Sequence, residues 1–380
     1  MVSNHLFSTY QLGPIALANR IVVAPMCQYS AVDGVATDWH LQHLMQLGYS
    51  GAGLVMVEAT AVQRHGRITH GCLGLYNDDC QIALSRAIAS ARRWAGPTRF
   101  GIQLAHAGRK ASCNVPWQRH GHPLAADEDS WPTVSASANS FAPDWPVPRE
   151  LNKDGIRAII EAFVAAARRA VQIGFEVIEL HGTHGYLGHQ FLSPLSNYRT
   201  DEYGGSLENR MRFLLELAAS VRAALSDSVA LGVRMAGTDW VAGGWGPEDA
   251  VVLARSLKAI GVHYVCVSSG GLVPHAKIPV GPDYQVPLAA KVKRETGIAT
   301  RAVGMIWTPQ RAEQIIAAGD ADMIAMARAF LDDPRWGWHA ADELGATVHC
   351  PPQYERARAD LWPPARRQTA KPTAVRPQAR

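Results

Sequence analysis

Short apolar, β-branched runs recur along the chain, and each has the pattern of a strand buried on both faces. The runs are Ile21–Ala24, Leu54–Val57, Phe100–Leu104, Val177–Leu180, Val229–Val233, His263–Val267, Ile298–Val303 and Asp322–Met326. Continuous apolar runs of this length are typical of parallel strands, because both faces of a parallel sheet are covered.

Segments with apolar residues at helical spacing lie between most of these runs. The clearest has Ile156, Ile159, Phe163, Ala167 and Val171 on one face and is followed by Gly174 as a C-terminal cap. The others span about 39–49, 80–95, 207–225, 247–260, 284–295 and 308–318. Eight strands alternating with helices predict an α/β fold, a (β/α)₈ TIM barrel. An open doubly wound sheet would usually carry a G-x-G-x-x-G turn, and no strand here is followed by one.

The pattern predicts one domain with two additions. Residues 1–350 form the barrel, and within it residues 105–150 form a long insertion after the third strand, rich in tryptophan and proline. Loops of this length are usually functional or disordered, and the aromatic content favours an ordered cap over the barrel mouth. Residues 351–362 are predicted to form a C-terminal arm, and residues 363–380 a disordered basic tail.

Composition excludes several classes of protein. The formal net charge of +4 comes from residues 351–380, which carry seven basic and two acidic side chains; the rest has 30 basic and 31 acidic ones. A neutral body gives no sign of a nucleic-acid partner. Six cysteines without a C-x-x-C pair argue against zinc, iron–sulfur and disulfide frameworks. With neither a signal-peptide pattern nor a membrane-length apolar run, we expect a cytoplasmic protein without a membrane partner.

The most informative stretch follows the fourth strand, where His181, His184 and Tyr186 lie within six residues. Active sites of such barrels lie at the C-terminal ends of the strands, and ionisable clusters in clefts mark functional sites. Two imidazoles can hold a substrate oxygen while a phenol supplies a proton. A metal-dependent hydrolase using His181, His184 and His189 is the alternative, and a barrel that binds a ligand without catalysis is another.

Several long motifs, in order from about residue 5 to 356, resemble the Old Yellow Enzyme family of FMN-dependent ene-reductases. The stretch HGTHGYLGHQFLSP and the following NYRTDEYGGSLENR carry the resemblance, and PMCQY at 25–29 and QLAHAGRK at 103–110 resemble the thermophilic-like, xenobiotic reductase branch. The resemblance implies a TIM barrel with non-covalent FMN at the strand C-termini and NADPH or NADH as reductant. It also implies small electron-poor alkenes as substrates.

The resemblance implies a role for each matching residue. His181 and His184 would donate hydrogen bonds to the substrate oxygen, and Tyr186 would be the proton donor. Tyr29 would line the substrate pocket, and Cys27 would tune the flavin potential. The remaining cofactor contacts would come from Pro25, Met26, Ala59, Gln103, Arg234, Val303, Gly304, Ala327 and Arg328. Among these, Gln103 and Arg234 would meet the pyrimidine edge, while Gly304 and Arg328 would hold the phosphate.

The physics of hydride addition agrees with these roles. Adding hydride to a β-carbon pushes negative charge onto the activating oxygen, and two preorganised N–H donors stabilise that charge most in the transition state. The sequence departs from the family pattern at Ala327, where glycine is usual, and at Thr183, where alanine is usual. The resemblance also implies a homodimer or a dimer of dimers, in which Arg356 of the arm reaches the neighbouring active site.

Overall fold

The computed structural model describes residues 4–362, so the predicted tail 363–380 lies outside the described residues. Within this range eight parallel strands close into a barrel with helices around it, which confirms the predicted TIM-barrel fold. The barrel strands are β3 (Ile21–Val23), β4 (Leu54–Ala61), β5 (Arg99–Ala105), β8 (Val177–Gly182), β9 (Ala230–Ala236), β10 (Tyr264–Ser268), β11 (Ala299–Ala302) and β12 (Met323–Met326). They neighbour one another in chain order, and β12 pairs with β3 to close the barrel.

Seven long helices surround the barrel at the positions that the apolar spacing predicts. They are α1 (Asp38–Gly48), α2 (Asp78–Arg92), α3 (Lys153–Ile173), α5 (Leu207–Ala224), α6 (Pro247–Ile260), α7 (Val286–Thr296) and α8 (Pro309–Ala317). Helix α3 begins where the Asn152 side chain accepts a hydrogen bond from the Gly155 amide and ends at Gly174, whose φ is 100°. Glycine pays no Cβ penalty in that left-handed cap.

Shorter elements were not predicted from the sequence. An N-terminal hairpin pairs β1 (Tyr10–Leu12) with β2 (Ile15–Leu17), and its Leu12, Ile15 and Leu17 pack against the apolar residues inside the barrel. The hairpin precedes β3, so it plugs the end of the barrel where the strands begin. Three further helices were also not predicted: α4 (Leu187–Leu192), α9 (Arg328–Asp332) and α10 (Trp336–Leu344).

The insertion 105–150 is built largely from irregular backbone. It contains one parallel pair, β6 (Val134–Ser135) with β7 (Arg149–Glu150), and two single-turn 3₁₀ helices, Gly108–Lys110 and Arg119–Gly121. Two of its tryptophans contact the barrel loops: Trp131 Nε1 donates to the His65 carbonyl at 3.0 Å, and the Trp117 ring lies edge-on to Tyr29 with centroids 5.6 Å apart. The insertion therefore lies beside the loop of Tyr29, which the family resemblance implies lines the substrate pocket.

Candidate active site

The end of β8 brings His181, His184 and Tyr186 together. The ring centroids of His181 and His184 are 5.2 Å apart, and those of His181 and Tyr186 are 5.1 Å apart. A tight turn produces this cluster, since His184 and Gly185 both have positive φ, 58° and 75°. A non-glycine residue in that region is strained and persists only where the surroundings hold it. His184 Nε2 also lies 2.8 Å from the Ser268 hydroxyl of β10.

Burial sets the protonation of all three side chains. It lowers the pKa of His181 and His184 well below 6.5, and the positive charge of Arg234 lowers both further. Both imidazoles are therefore neutral near pH 7, and each offers one N–H. Burial likewise raises the pKa of Tyr186 well above 10, so its phenol keeps its proton. Among residues 4–362, the buried Nδ1 of His181 has no hydrogen-bond partner, so it is available to a ligand.

Lys110 holds this turn in place, a role that the sequence did not reveal although the residue lies in the QLAHAGRK stretch. Its Nζ donates to the carbonyls of His184 and Gly271, both at 2.9 Å, and lies 5.1 Å from the centre of the Tyr186 ring. No carboxylate of residues 4–362 is within ion-pair distance of it. Burial lowers the pKa of Lys110 to about 8. A buried ammonium without an anionic partner is costly, which marks Lys110 as part of the site.

The histidine triad needed for the metal alternative does not assemble. His189 is fully buried; its Nδ1 accepts a hydrogen bond from the Gly185 amide at 3.0 Å, and its Nε2 lies 2.8 Å from Asp239 Oδ1. Both ring nitrogens are thus engaged within the protein. Within residues 4–362, no group of three His, Cys, Asp or Glu side chains is placed to hold a metal. His189 as a third metal ligand was wrong, because its ring binds the backbone of the turn and Asp239 instead of facing the cavity.

A cavity of about 570 Å³ runs along the mouth beside this cluster. It is lined, among others, by His184, Arg234, Ser268, Gly304 and Arg328. Its volume is within the usual range for small-molecule and cofactor sites. Arg234 has a buried Nε without a partner in the described part of the chain, and Arg328 is exposed with its Nη2 3.0 Å from Met305 Sδ. Gly304 has φ 116°, a conformation that favours glycine.

These residues fit FMN. Among the residues that line the cavity, the exposed guanidinium of Arg328 and the backbone of Gly304 suit a phosphate, and Arg234, a cation with an unpaired N–H, suits the flavin ring. Val303, nearly buried, and Ala327, half-buried, also line the cavity. The extra methyl of Ala327, one departure from the family pattern, is accommodated at φ −105°. The other departure, Thr183, is fully buried, and its hydroxyl has no partner among residues 4–362.

The loop after β3 supplies the remaining predicted contacts. Pro25, Met26, Cys27 and Tyr29 are half-buried there, and the loop is fastened by the Gln28 amide, which donates to the buried Glu58 carboxylate at 3.1 Å. Burial raises the pKa of the Cys27 thiol, so it is present as the uncharged thiol. Ala59 follows Glu58 at the point where the pairing of β4 with β5 shifts register.

Gln103 is buried on β5, where its Nε2 donates at 2.8 Å to Glu179 on β8. Glu179 in turn pairs with Arg301 on β11, and both are fully buried. Neither Glu179 nor Arg301 was predicted from the sequence as part of the site. A charge within an apolar strand, as in Val-Ile-Glu-Leu, was the available signal, but its partner lies 122 residues away.

Arg356 is the one predicted site residue that the structure leaves far from the mouth of its own barrel. It is exposed on the 3₁₀ helix Pro352–Ala357, where Tyr354 stacks on Tyr49 with ring centroids 5.6 Å apart. Tyr49 caps the C-terminal end of α1, just before β4 begins, and so lies at the opposite end of the barrel from the strand C-termini. Within one chain, Arg356 is therefore remote from the histidine pair.

Comparisons with known proteins identify the family of this chain. The family model described as NADH:flavin oxidoreductase / NADH oxidase matches residues 5–346. An NADPH dehydrogenase of Listeria innocua is 42% identical over 354 residues, which cover 93% of this chain and 98% of that protein. One from a Geobacillus strain is 43% identical over 353 residues, with 92% and 98% coverage. An NADH:flavin oxidoreductase of Gibberella zeae is 42% identical over 363 residues, with 91% and 87% coverage.

Solved structures give the same fold. Morphinone reductase superimposes with a TM-score of 0.73 at 26% identity and covers 92% of this chain and 93% of its own. A 2-naphthoyl-CoA reductase gives a TM-score of 0.79 at 26% identity over 90% of this chain, which spans about half, 52%, of that longer enzyme. Within residues 4–362, no helix is long and apolar enough to cross a membrane.

Proposed function

Because the chain belongs to the NADH:flavin oxidoreductase / NADH oxidase family, the Old Yellow Enzyme family, we propose that it reduces the activated carbon–carbon double bonds of α,β-unsaturated carbonyls, maleimides or nitroalkenes. The chain is an oxidoreductase, and its family binds FMN and draws electrons from NADH or NADPH. The observation that carries the proposal is the cluster at the end of β8, where two neutral imidazoles and a protonated phenol face one mouth.

FMN bound in the cavity would supply the hydride for the β-carbon of the alkene. His181 and His184 would each donate an N–H to the carbonyl or nitro oxygen, on which negative charge develops as the hydride arrives. Burial and Arg234 keep both rings neutral, and a neutral imidazole is too weak an acid to protonate that oxygen. Each histidine therefore acts only as a hydrogen-bond donor, and Tyr186 is the acid. Tyr186, protonated and beside His181, would then give its proton to the α-carbon.

The other residues would bind and orient. Arg234 and Gln103 would meet the pyrimidine edge of the flavin, Gly304 and Arg328 its phosphate, and Ala59 its ring through the backbone. The uncharged thiol of Cys27 would lie near the flavin, where it adds polarity but no charge. Tyr29, with Trp117 of the insertion against its ring, would form a wall of the substrate pocket. A planar, electron-poor alkene is the class of molecule that such a pocket suits.

The oligomer belongs to the same proposal. Arg356 lies at the wrong end of the barrel to serve its own site, so we place it in the site of a neighbouring subunit within a homodimer or a dimer of dimers. A guanidinium arriving from outside could fork onto a ligand oxygen in a way that lysine cannot mimic. Tyr354 anchors the arm to its own barrel, and the Arg335 guanidinium lies 4.4 Å from the centre of the Tyr354 ring.

Anaerobic half-reactions test the function. The purified protein should carry FMN, NADPH or NADH should bleach its absorbance, and cyclohexenone, N-ethylmaleimide or a nitroalkene should restore it with formation of the saturated product. Tyr198→Phe is the matched control for Tyr186→Phe, since Tyr198 is 63% exposed and its hydroxyl donates to the Leu195 carbonyl at 3.0 Å. Bleaching that none of the three alkene classes reverses, with oxygen as the sole acceptor, would overturn the proposal.

A further inference from the structure

A charged layer crosses the apolar interior of the barrel. Glu179 and Arg301, both fully buried, form an ion pair through Oε2 and Nη2. The Tyr264 hydroxyl donates to the same Oε2 at 2.9 Å, and Gln103 Nε2 donates to the other oxygen, Oε1, at 2.8 Å. Replacing such a pair by apolar residues is often neutral or stabilising, so a buried ion pair is weak evidence for a role in stability. This one calls for another explanation.

The layer lies directly beneath the candidate site. Side chains two residues apart on a strand point to the same face, so Glu179 lies about 7 Å below His181 on the inner face of β8. Gln103 is the register partner of Glu179 on the neighbouring strand β5. Room for the layer comes from Gly232 of β9, where a Cβ would come within 2.1 Å of the Tyr264 ring. Because Gly232 has no side chain, the Tyr264 hydroxyl can reach the Glu179 carboxylate.

The ion pair dictates which way the Gln103 amide points. An ionised carboxylate can only accept hydrogen bonds, whereas an amide has a donor end and an acceptor end. The Arg301 guanidinium, which does not lose its charge in proteins, pairs with Glu179 as an anion. Gln103 must therefore turn its NH₂ toward Glu179, which leaves its carbonyl oxygen for a donor elsewhere. The N3–H of a flavin is such a donor.

We infer that Glu179 and Arg301 are positioning residues for the cofactor: they fix the acceptor end of Gln103 toward the flavin and keep the charge beneath it balanced. The inference rests on the proposed place of Gln103 at the pyrimidine edge. Charges near the flavin ring tune its electronics. Since bound flavin is more negative when reduced, an unpaired anion below it would disfavour the reduced form, and an unpaired cation would favour it.

Removing either partner of the ion pair leaves a charge of opposite sign beneath the flavin, so the two single variants should shift the midpoint potential of FMN in opposite directions. In the holoenzyme, Arg301→Met leaves Glu179 without its cation, and Glu179→Gln leaves Arg301 without its anion. The midpoint potential of bound FMN, measured by equilibration with a reference dye, should fall in the first variant and rise in the second. We expect about a tenfold change in the affinity ratio of reduced to oxidised FMN, which is about 30 mV for a two-electron couple. The double variant should return to within about threefold of wild type in that ratio.

Matched variants separate positioning from general damage. Arg222 is another largely buried arginine, 16% exposed, which binds backbone carbonyls at the end of α5, where the barrel strands begin. Arg222→Met should lower thermal stability and leave the potential unchanged. Should both single variants fail to fold, Tyr264→Phe removes one donor from Glu179 and should lower the potential in the same direction as Arg301→Met.

Two outcomes overturn different claims. Shifts of equal sign in Arg301→Met and Glu179→Gln, or no shift in any of the layer variants, would make the layer merely structural and refute the inference. Gln103→Leu tests the premise separately, because it should weaken FMN binding to the apoprotein and shift the potential. If Gln103→Leu changes neither, the proposed place of Gln103 is wrong and the inference falls with it.

Discussion

Replacing His181 or His184 by alanine removes one N–H donor from the barrel mouth and should weaken the binding of phenols. A phenolate oxygen stands in for the oxygen on which charge develops in the reaction. The two rings are neutral and 5.2 Å apart between centroids, so each can give one hydrogen bond to the same anion. Hydrogen bonds to a charged group are worth about 1.5–3 kcal/mol. Each single variant should therefore raise the dissociation constant roughly tenfold to a hundredfold.

The pH dependence follows from the lowered pKa values of both histidines. A histidine with its pKa well below 6.5 takes up no proton between pH 6 and 9, so its contribution is constant across that window. Affinity for para-nitrophenol should rise as the phenol itself ionises and then level off. If either ring had an ordinary pKa, it would be positively charged at pH 6 and would lose that charge as the pH rises, which would make phenolate affinity fall between pH 6 and 8.

Titration of the holoenzyme with para-nitrophenol, followed by the long-wavelength charge-transfer band of the complex, measures both effects. His43→Ala is the matched control, because His43 lies on α1 outside the barrel and burial lowers its pKa to about 4 as well. The control should bind as the wild type does. A double variant of His181 and His184 that still shows the band at wild-type affinity would refute the assignment of the two donors.

Three further outcomes are expected. Tyr186→Phe should leave flavin reduction by NADPH or NADH unchanged and slow reoxidation by cyclohexenone by about 10²–10⁴-fold. The loss should be smaller for nitroalkenes, whose reduced anions are stable. Stopped flow with both substrates measures these rates, and equal reoxidation rates in the variant and the wild type would remove Tyr186 from the mechanism. Lys110, whose pKa is lowered to about 8, is charged below pH 8 and neutral above it, so the wild-type rate with cyclohexenone should fall as the pH rises through 8. Lys110→Met should be roughly tenfold slower at pH 7, and its rate should not change with pH around 8. A change of rate near pH 8 that persists in Lys110→Met would contradict this. Truncation after Pro352, which removes Arg356, should alter ligand affinity, while truncation after Trp362 should do little; full activity of the shorter form, together with a monomer in analytical ultracentrifugation at micromolar concentration, would rule out the shared site.

The fold was predictable because each of its parts is a local pattern. All eight barrel strands and the seven long helices lie within a few residues of their predicted positions, since double-sided burial and helical periodicity are both visible in short windows. The N-terminal hairpin escaped prediction because Tyr10–Leu12 and Ile15–Leu17 are only three residues each. Three residues do not establish a period, and only the open end of the barrel gives the hairpin apolar residues to cover.

The candidate site divides in the same way. His181, His184 and Tyr186 were identifiable because six consecutive residues carry them, and a strand followed by a tight turn brings them together whatever lies around. The metal alternative failed for a tertiary reason, since a residue of another strand-end loop, Asp239, engages His189. Nothing in the local sequence distinguishes a histidine that faces the cavity from one that binds the backbone of the turn on its other side.

The sequence by itself determined the barrel, the family and the residues at its mouth, because these depend on local periodicity and on contiguous motifs. Only the tertiary structure decided how the charges inside are balanced: Lys110 against two carbonyls and an aromatic ring, and Glu179 against Arg301 from 122 residues away. Burying a charge is unfavourable unless a partner meets it with good geometry. Barrel closure is what brings strands so distant in sequence to the same layer, so these partners could be found only once the chain had folded.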